Sequence, residues 1–302
     1  MKKVAISIGD LNGIGIQLAL ENHAYISRLV EPLYMIDKAM LAQASQKLGL
    51  QVPNGFETYE EIADAFEINA GVVSKESGAY AYASFKKAVD LAREKQVDAI
   101  CTLPIHKKAW ELCGVSYKGH TDALRDFFDA DAIMMLGCEK MYVALFTEHI
   151  PLTQVASSIT QEKLTRFLLD FYHTAKPTQT VGILGLNPHA GDDGVLGNEE
   201  KIIQASIDEV HQKLQKDVFS SPLVPDVAFT PNVRKKYKHF IAMYHDQGLA
   251  PLKALYFDEG INISLNLPIL RTSVDHGTAF DIAYRQTKLS ALSYINAIKY
   301  LK

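Results

Sequence analysis

The feature that most constrains this chain is an alternation. Short apolar runs end in polar or glycine-bearing turns, and segments with helical periodicity follow them. Val4–Ile8 reads as a strand, and Gly9-Asp10-Leu11-Asn12-Gly13-Ile14-Gly15 as the turn into a helix. Ser84–Lys95 places Phe85, Ala88, Val89 and Ala92 at helical spacing, and the apolar run Val97–Leu103 comes directly after it. A helix joined to a strand by one or two residues is the grammar of a parallel α/β sheet. The middle of the chain differs: Ile133–Leu136, Met141–Thr147 and Leu152–Ile159 are three strand-like runs with short connections. Gly137-Cys138-Glu139-Lys140 reads as a hairpin turn between the first two. Thr160 is placed to cap a helix carrying Leu164, Phe167, Leu168 and Phe171 on one face. Val181–Leu186 is a further strand, Glu199–Lys216 a helix, and Phe240–Tyr244 and Ile261–Leu267 complete the apolar strands. A C-terminal helix carries Leu289, Leu292, Ile295 and Leu301. The change of pattern near residues 112–130 marks a domain boundary, with the last helix returning to the first domain.

Composition narrows the class. With 302 residues the chain has room for two domains at roughly 100–200 residues each. Lys plus Arg is 31 and Asp plus Glu is 35, a net charge of −4, which with no long basic run argues against nucleic acid as a partner. No apolar run approaches the roughly 18 residues of a membrane helix, and the N-terminal run is shorter than the about 7–15 apolar residues of a signal peptide. The expectation is a cytoplasmic protein without membrane contact. Cys101, Cys113 and Cys138 are odd in number with no Cys-x-x-Cys pair, so they read as reduced, packed thiols.

Three of the 10 histidines have unusual neighbours. His149 in Thr147-Glu148-His149-Ile150-Pro151, His189 in Asn187-Pro188-His189-Ala190-Gly191, and His245 in Tyr244-His245-Asp246-Gln247-Gly248 each follow an apolar strand. Ligands of α/β sheets gather at carboxyl ends of strands. Three imidazoles there suit one divalent metal with open positions for substrate; read singly, they are loop residues that hydrogen-bond nearby backbone. A second set is basic and polar: Lys118-Gly119-His120-Thr121-Asp122, Lys253, Asn262 and Arg271. An ammonium and a forked guanidinium suit phosphate or carboxylate, and also suit an ordinary solvated surface. The glycines at 9, 13 and 15 are neither Gly-x-Gly-x-x-Gly nor a Walker loop, so they mark either a phosphate cradle or a tight turn. Thr272-Ser273-Val274-Asp275-His276-Gly277-Thr278-Ala279 is a second loop of small polar groups.

Together, Gly119-His120-Thr121, Asn187-Pro188-His189-Ala190-Gly191, Tyr244-His245-Asp246-Gln247-Gly248 and Asp275-His276-Gly277-Thr278-Ala279 resemble, in order, the 4-hydroxythreonine-4-phosphate dehydrogenase family. The resemblance spans nearly the whole chain. It implies a two-domain α/β/α architecture like the isocitrate and isopropylmalate dehydrogenases, with the active-site cleft between the domains. Residues 1–115 plus 275–302 would form the dinucleotide-side domain, and 116–274 the metal, substrate and dimerisation domain. It implies a homodimer with sites shared between subunits. The implied reaction is NAD- or NADP-dependent oxidation of 4-phosphooxy-L-threonine at C3, then decarboxylation to 3-amino-2-oxopropyl phosphate, on the route to pyridoxine phosphate. By the same resemblance His149, His189 and His245 hold one divalent metal (zinc, cobalt or magnesium). His120, Thr121, Lys253, Asn262 and Arg271 bind substrate, and Gly277, Thr278 and Ala279 lie against the dinucleotide. Asp246 and Lys253 are the candidate proton acceptors, with Asp246 alternatively orienting an imidazole.

The chain departs from the family pattern at three places. Leu11-Asn12 stands where a proline is usual, Asp122 replaces a Glu, and Tyr284-Arg285-Gln286 replaces a Gly-rich stretch on the adenosine side. The last leaves NAD against NADP open, since an arginine there suits a 2′-phosphate. Two competing functions fit the same residues: a paralogue acting on a phosphorylated four-carbon sugar acid, and a metal-dependent hydrolase or acyltransferase using no dinucleotide.

Overall fold

The computed structural model describes residues 1–285 and 287–302. Its strands in chain order are β1 Lys3–Ser7, β2 Glu31–Met35, β3 Glu57–Thr58, β4 Ala99–Thr102, β5 Ile133–Cys138, β6 Met141–Leu145, β7 Gly182–Ile183, β8 His239–Ala242, β9 Ile261–Leu265 and β10 Leu270–Val274. The chain divides into two compact units. The first comprises Met1–Ala130, Ile261–Ile263 and Leu267–Lys302, and the second Asp131–Gly260 and Ser264–Asn266, so β9 is divided between them. The boundaries expected at 115/116 and 274/275 therefore move. Residues 116–130 stay with the first unit because Ala123 and Leu124 pack into its core. Strand β10 stays there because it pairs in parallel with β4.

In the first unit the strand order is β3-β2-β1-β4-β10. The pairings of β1 with β2 and β4, of β2 with β3 and of β4 with β10 are all parallel. The helix Lys75–Arg93 covers one face, burying Ala81, Phe85, Ala88 and Val89 against Ala5, Ile100 and Trp110. That helix begins nine residues before the expected Ser84, because Ser74 caps it: its hydroxyl accepts from Ser77 N–H at 3.1 Å. Ser77 and Gly78 obscure its periodicity in the sequence. Gly78 is needed where the helix meets Ala109, whose carbonyl oxygen would lie 2.1 Å from any Cβ. The C-terminal helix spans Leu292–Leu301 and packs on β10. Its buried stripe is Tyr294, Ala297, Ile298 and Leu301, with Leu292 exposed.

In the second unit the order is β5-β6-β8-β7. Strands β5 and β6 form the expected antiparallel hairpin, and β8 runs parallel to both β6 and β7. Thr160 caps the helix Gln161–Ala175, accepting from Lys163 N–H at 3.3 Å. Leu152–Ile159 is not a strand: Leu152–Gln154 is a 3-10 turn and Val155–Ser158 a short helix. Leu152 is exposed, and the Ser157 and Ser158 hydroxyls both donate to Gln154 C=O. Local side-chain bonds of this kind compete with extended pairing. The three cysteines are free thiols. Among the described residues no helix is long and apolar enough to cross a membrane.

Candidate active-site residues

The first unit contains a buried polar group built on β4, β10 and the helix His120–Phe128. Arg271 of β10 is only 2 % exposed. Its Nε and Nη2 both donate to Thr102 Oγ1, at 3.2 and 2.7 Å. His120 opens its helix and lies against Phe85 and Trp110, with ring centroids at 4.7 and 5.4 Å. Burial, and then the nearby Arg271 charge, hold its pKa well below the ordinary histidine value, so the ring is neutral at pH 7. Burial also pulls the Arg271 pKa down to about 10, which leaves it cationic at neutral pH. Among the described residues, His120 Nε2 and Asn262 Oδ1 are buried without a hydrogen-bond partner. Such an atom costs roughly 1–3 kcal/mol if nothing meets it, so both fit a polar ligand. Thr121 is buried beside His120. Asp122, where the family pattern has Glu, accepts from Lys118 N–H at 3.0 Å and steadies this turn.

The glycine-bearing turn after β1 and the Gly277–Ala279 loop are joined in this unit. Ile14 N–H donates to Thr278 C=O at 3.1 Å, and a Cβ on Gly13 would lie 2.7 Å from that oxygen. Gly9, at φ +73°, lies against the Pro104 carbonyl, 2.2 Å from any Cβ. Close backbone approach thus accounts for these two glycines. Two of the departures from the family pattern meet here: the Tyr284 hydroxyl donates to Leu11 C=O at 2.7 Å. Asn12 bonds Val72 C=O and Asn69 N–H through its side chain. Arg285 is exposed, and Gln286 lies outside the described residues. Gly277 has open space around its Cα.

The second unit carries the histidines, all on segments that follow strands. His149 and His245 form a ring pair, with centroids 5.6 Å apart. The loops bearing them are tied by Thr147, whose N–H and hydroxyl both donate to Met243 C=O, at 3.2 and 2.6 Å. His245 Nδ1 meets Asp246 Oδ1 at 2.7 Å, which leaves Nε2 as the ring nitrogen not engaged by this carboxylate. Gln247, one residue further, accepts from Met243 N–H at 2.7 Å and donates to Gly185 C=O at 2.6 Å. His189 is exposed, on a turn where φ is positive from His189 through Asp193. Left-handed backbone costs roughly 1–2 kcal/mol for each non-glycine residue. Glu200 holds the entry to that turn, accepting from Leu186 N–H at 2.8 Å and Asn187 N–H at 2.7 Å. Lys253 is exposed on the helix His245–Tyr256.

The structure thus pairs two of the three histidines. Among the described residues it gathers no group of three or more His, Cys, Asp or Glu that could hold a metal ion. The donor chemistry of the pair fits a divalent cation, with two imidazoles and a carboxylate behind one of them. The sequence reading missed Thr102, Gln247 and Glu200. Gln247 stands inside the Tyr244–Gly248 segment and was open to discovery there. Thr102 and Glu200 act through contacts that no local pattern announces.

A family model described as "Pyridoxal phosphate biosynthetic protein PdxA" matches residues 28–301. A 4-hydroxythreonine-4-phosphate dehydrogenase of Sulfurimonas denitrificans is 60 % identical over 297 residues, covering 98 % of this chain and 96 % of that protein. The crystal structure of a 4-hydroxythreonine-4-phosphate dehydrogenase from Klebsiella pneumoniae superposes with a TM-score of 0.83 at 29 % identity, covering 100 % of this chain and 99 % of that one. A phosphotransacetylase from Staphylococcus aureus shares the fold alone, with a TM-score of 0.52 at 14 % identity over 99 % of this chain and 94 % of that one.

Proposed function

This chain belongs to the family of the pyridoxal phosphate biosynthetic protein PdxA, and we propose, from that premise, how its residues perform the dehydrogenase reaction. It is an enzyme, a 4-hydroxythreonine-4-phosphate dehydrogenase. The finer reading is oxidation of 4-phosphooxy-L-threonine by NAD or NADP, then loss of carbon dioxide to give 3-amino-2-oxopropyl phosphate. One observation carries the substrate class: a buried guanidinium, Arg271, beside a buried neutral imidazole whose Nε2 has no hydrogen-bond partner among the described residues.

In this reading Arg271 supplies the fixed positive charge for the anionic end of the substrate. His120, Thr121 and Asn262 supply neutral hydrogen-bonding groups around it. Lys253 adds a further polar contact to the substrate. His149 and His245, with His189 as the third candidate ligand, would hold one divalent cation, zinc, cobalt or magnesium. When bound, such an ion would supply Lewis-acid chemistry, and a nicotinamide would supply the hydride acceptor. Asp246 is engaged with His245 Nδ1, so its part is to orient the ring. Lys253 is then the remaining candidate to accept the hydroxyl proton. The loop at Gly277, Thr278 and Ala279 would hold the dinucleotide.

A homodimer with sites shared between subunits belongs to the same reading. Its support is the exposure, within the second unit, of Leu152, Val195, Leu196, Val227, Leu255 and Phe257. Large apolar side chains left in water at this number suit contact with another surface. The decisive assay sets 4-phosphooxy-L-threonine beside phosphorylated four-carbon sugar acids and follows NADH or NADPH release. Preferential turnover of the threonine derivative is expected, and far faster turnover of a sugar acid phosphate would replace the substrate.

A further inference from the structure

Arg271 and Thr102 sit on adjacent parallel strands, and their register explains their contact. Strand β10 pairs with β4 so that Arg271 is level with Ile100, and Ser273 with Thr102. Residues two apart on a strand share a face. Arg271 therefore lies one such step behind Thr102 on the same face of the sheet. Its long side chain reaches forward, towards the carboxyl ends of the strands, and closes on the threonine hydroxyl.

The contact has an unusual form. Two N–H groups of one guanidinium, Nε and Nη2, converge on a single oxygen at 3.2 and 2.7 Å. A contact to one nitrogen would leave the planar fork free to turn about that bond, whereas a contact to the Nε–Nη2 edge fixes the plane. Arg271 is 2 % exposed and Thr102 fully buried, so solvent does not compete for these donors.

Two other hydroxyls stand level with Thr102, Ser7 on β1 and Ser273 on β10. Ser7 Oγ is buried without a partner among the described residues, and Ser273 donates to Val274 C=O at 3.0 Å. Within this row of hydroxyls, the bond to the guanidinium falls to Thr102.

We propose that Thr102 is a positioning residue: it sets the plane of the Arg271 guanidinium so that the fork meets the anionic group of the phosphorylated substrate. This rests on the reading of Arg271 as the substrate's anion ligand. Bidentate recognition depends on planar alignment, so a tilted guanidinium loses affinity while keeping its charge.

The test is steady-state kinetics of the full chain with 4-phosphooxy-L-threonine. Thr102→Val keeps the shape and removes the oxygen; Thr102→Ser keeps the oxygen and removes a methyl. The expected result is a KM raised about tenfold in Thr102→Val, the scale of one lost bond to a charged group, with kcat within about threefold. Thr102→Ser should restore KM to within about twofold. A merely structural role would lower the melting temperature of both variants without this division between KM and kcat. In an Arg271→Ala background, adding Thr102→Val should leave KM unchanged, because Thr102 acts only through the arginine.

An unchanged KM in Thr102→Val alongside a raised KM in Arg271→Ala overturns the positioning role alone. So do effects of the two substitutions that multiply. A normal KM in Arg271→Ala overturns the anion-ligand reading itself, and the proposal with it. Should Thr102→Val fail to fold, Thr102→Ala, which also lacks the oxygen, gives the same comparison against Thr102→Ser.

Discussion

The two units present functional side chains in opposite ways. In the first, Arg271, His120 and Thr121 are part of the core, fixed by strand register and aromatic packing. In the second, His149 and His189 stand exposed beyond strand ends, held by bonds to the backbone beneath them. Burial does different work in each. It keeps His120 neutral and excludes water around the guanidinium, which strengthens recognition of an anion. Exposure leaves imidazoles able to meet a cation arriving from solvent. The lesson is that stability and function are entangled in the first set and separable in the second.

The sharpest test of this difference is His189→Ala. Because the side chain is exposed, the melting temperature should stay within about 2 °C, while metal content falls and turnover drops by roughly a thousandfold or more. Elemental analysis of the purified protein beside a thermal melt decides it. Undiminished metal content would remove His189 from the site.

Arg271→Ala should do both kinds of damage at once. The kcat/KM falls about a hundredfold, mostly through KM, and stability falls by roughly 2–4 kcal/mol because the buried stem leaves a cavity. Denaturant melts with unchanged stability would show that the first set is less embedded than its burial indicates.

A third effect is confined to pH. Asp10, buried in the turn after β1, accepts from Asn12 N–H and the Ser77 hydroxyl, yet burial outweighs both and pushes its pKa from 3.8 up to about 6. Between those values the folded chain holds a proton that the unfolded chain has released, so stability falls as pH rises through this window. Asp10→Asn should remove that slope and stabilise the protein above pH 6 by on the order of 2 kcal/mol, read from melts across pH 4–8. A variant whose slope matches the parent would show that Asp10 is not the group responsible.

The smallest change is Gly277→Ala. With open space around this residue, stability should shift by less than about 0.5 kcal/mol. If the loop lies against the dinucleotide, affinity for NAD or NADP measured by calorimetry should still fall several-fold. Undisturbed affinity would move the cofactor away from Gly277.

Much of this was legible in the residues. The Gly137–Lys140 hairpin, the Thr160 cap and the strand-end positions of His149, His189 and His245 are local features, and neighbours in sequence determine them. Failures came where local pattern and tertiary context disagree. Leu152–Ile159 has the composition of a strand, but no neighbour pairs with it, and serine hydroxyls close it into turns. The periodicity marks only the second half of the helix from Lys75, because Gly78 suits the approach to Ala109 and not helicity.

The sequence by itself determined the family, the alternating α/β pattern with several of its strands and helices, and the residue types that suit an anion and a cation. Tertiary structure alone decided what those residues are. Thr102 and Arg271 are 169 positions apart in the chain, and only the pairing of β4 with β10 brings hydroxyl and guanidinium together. His120 is a neutral ring and not a charged one because Phe85 and Trp110 close over it. Register and burial are sums over distant contacts, and no window of the chain contains them.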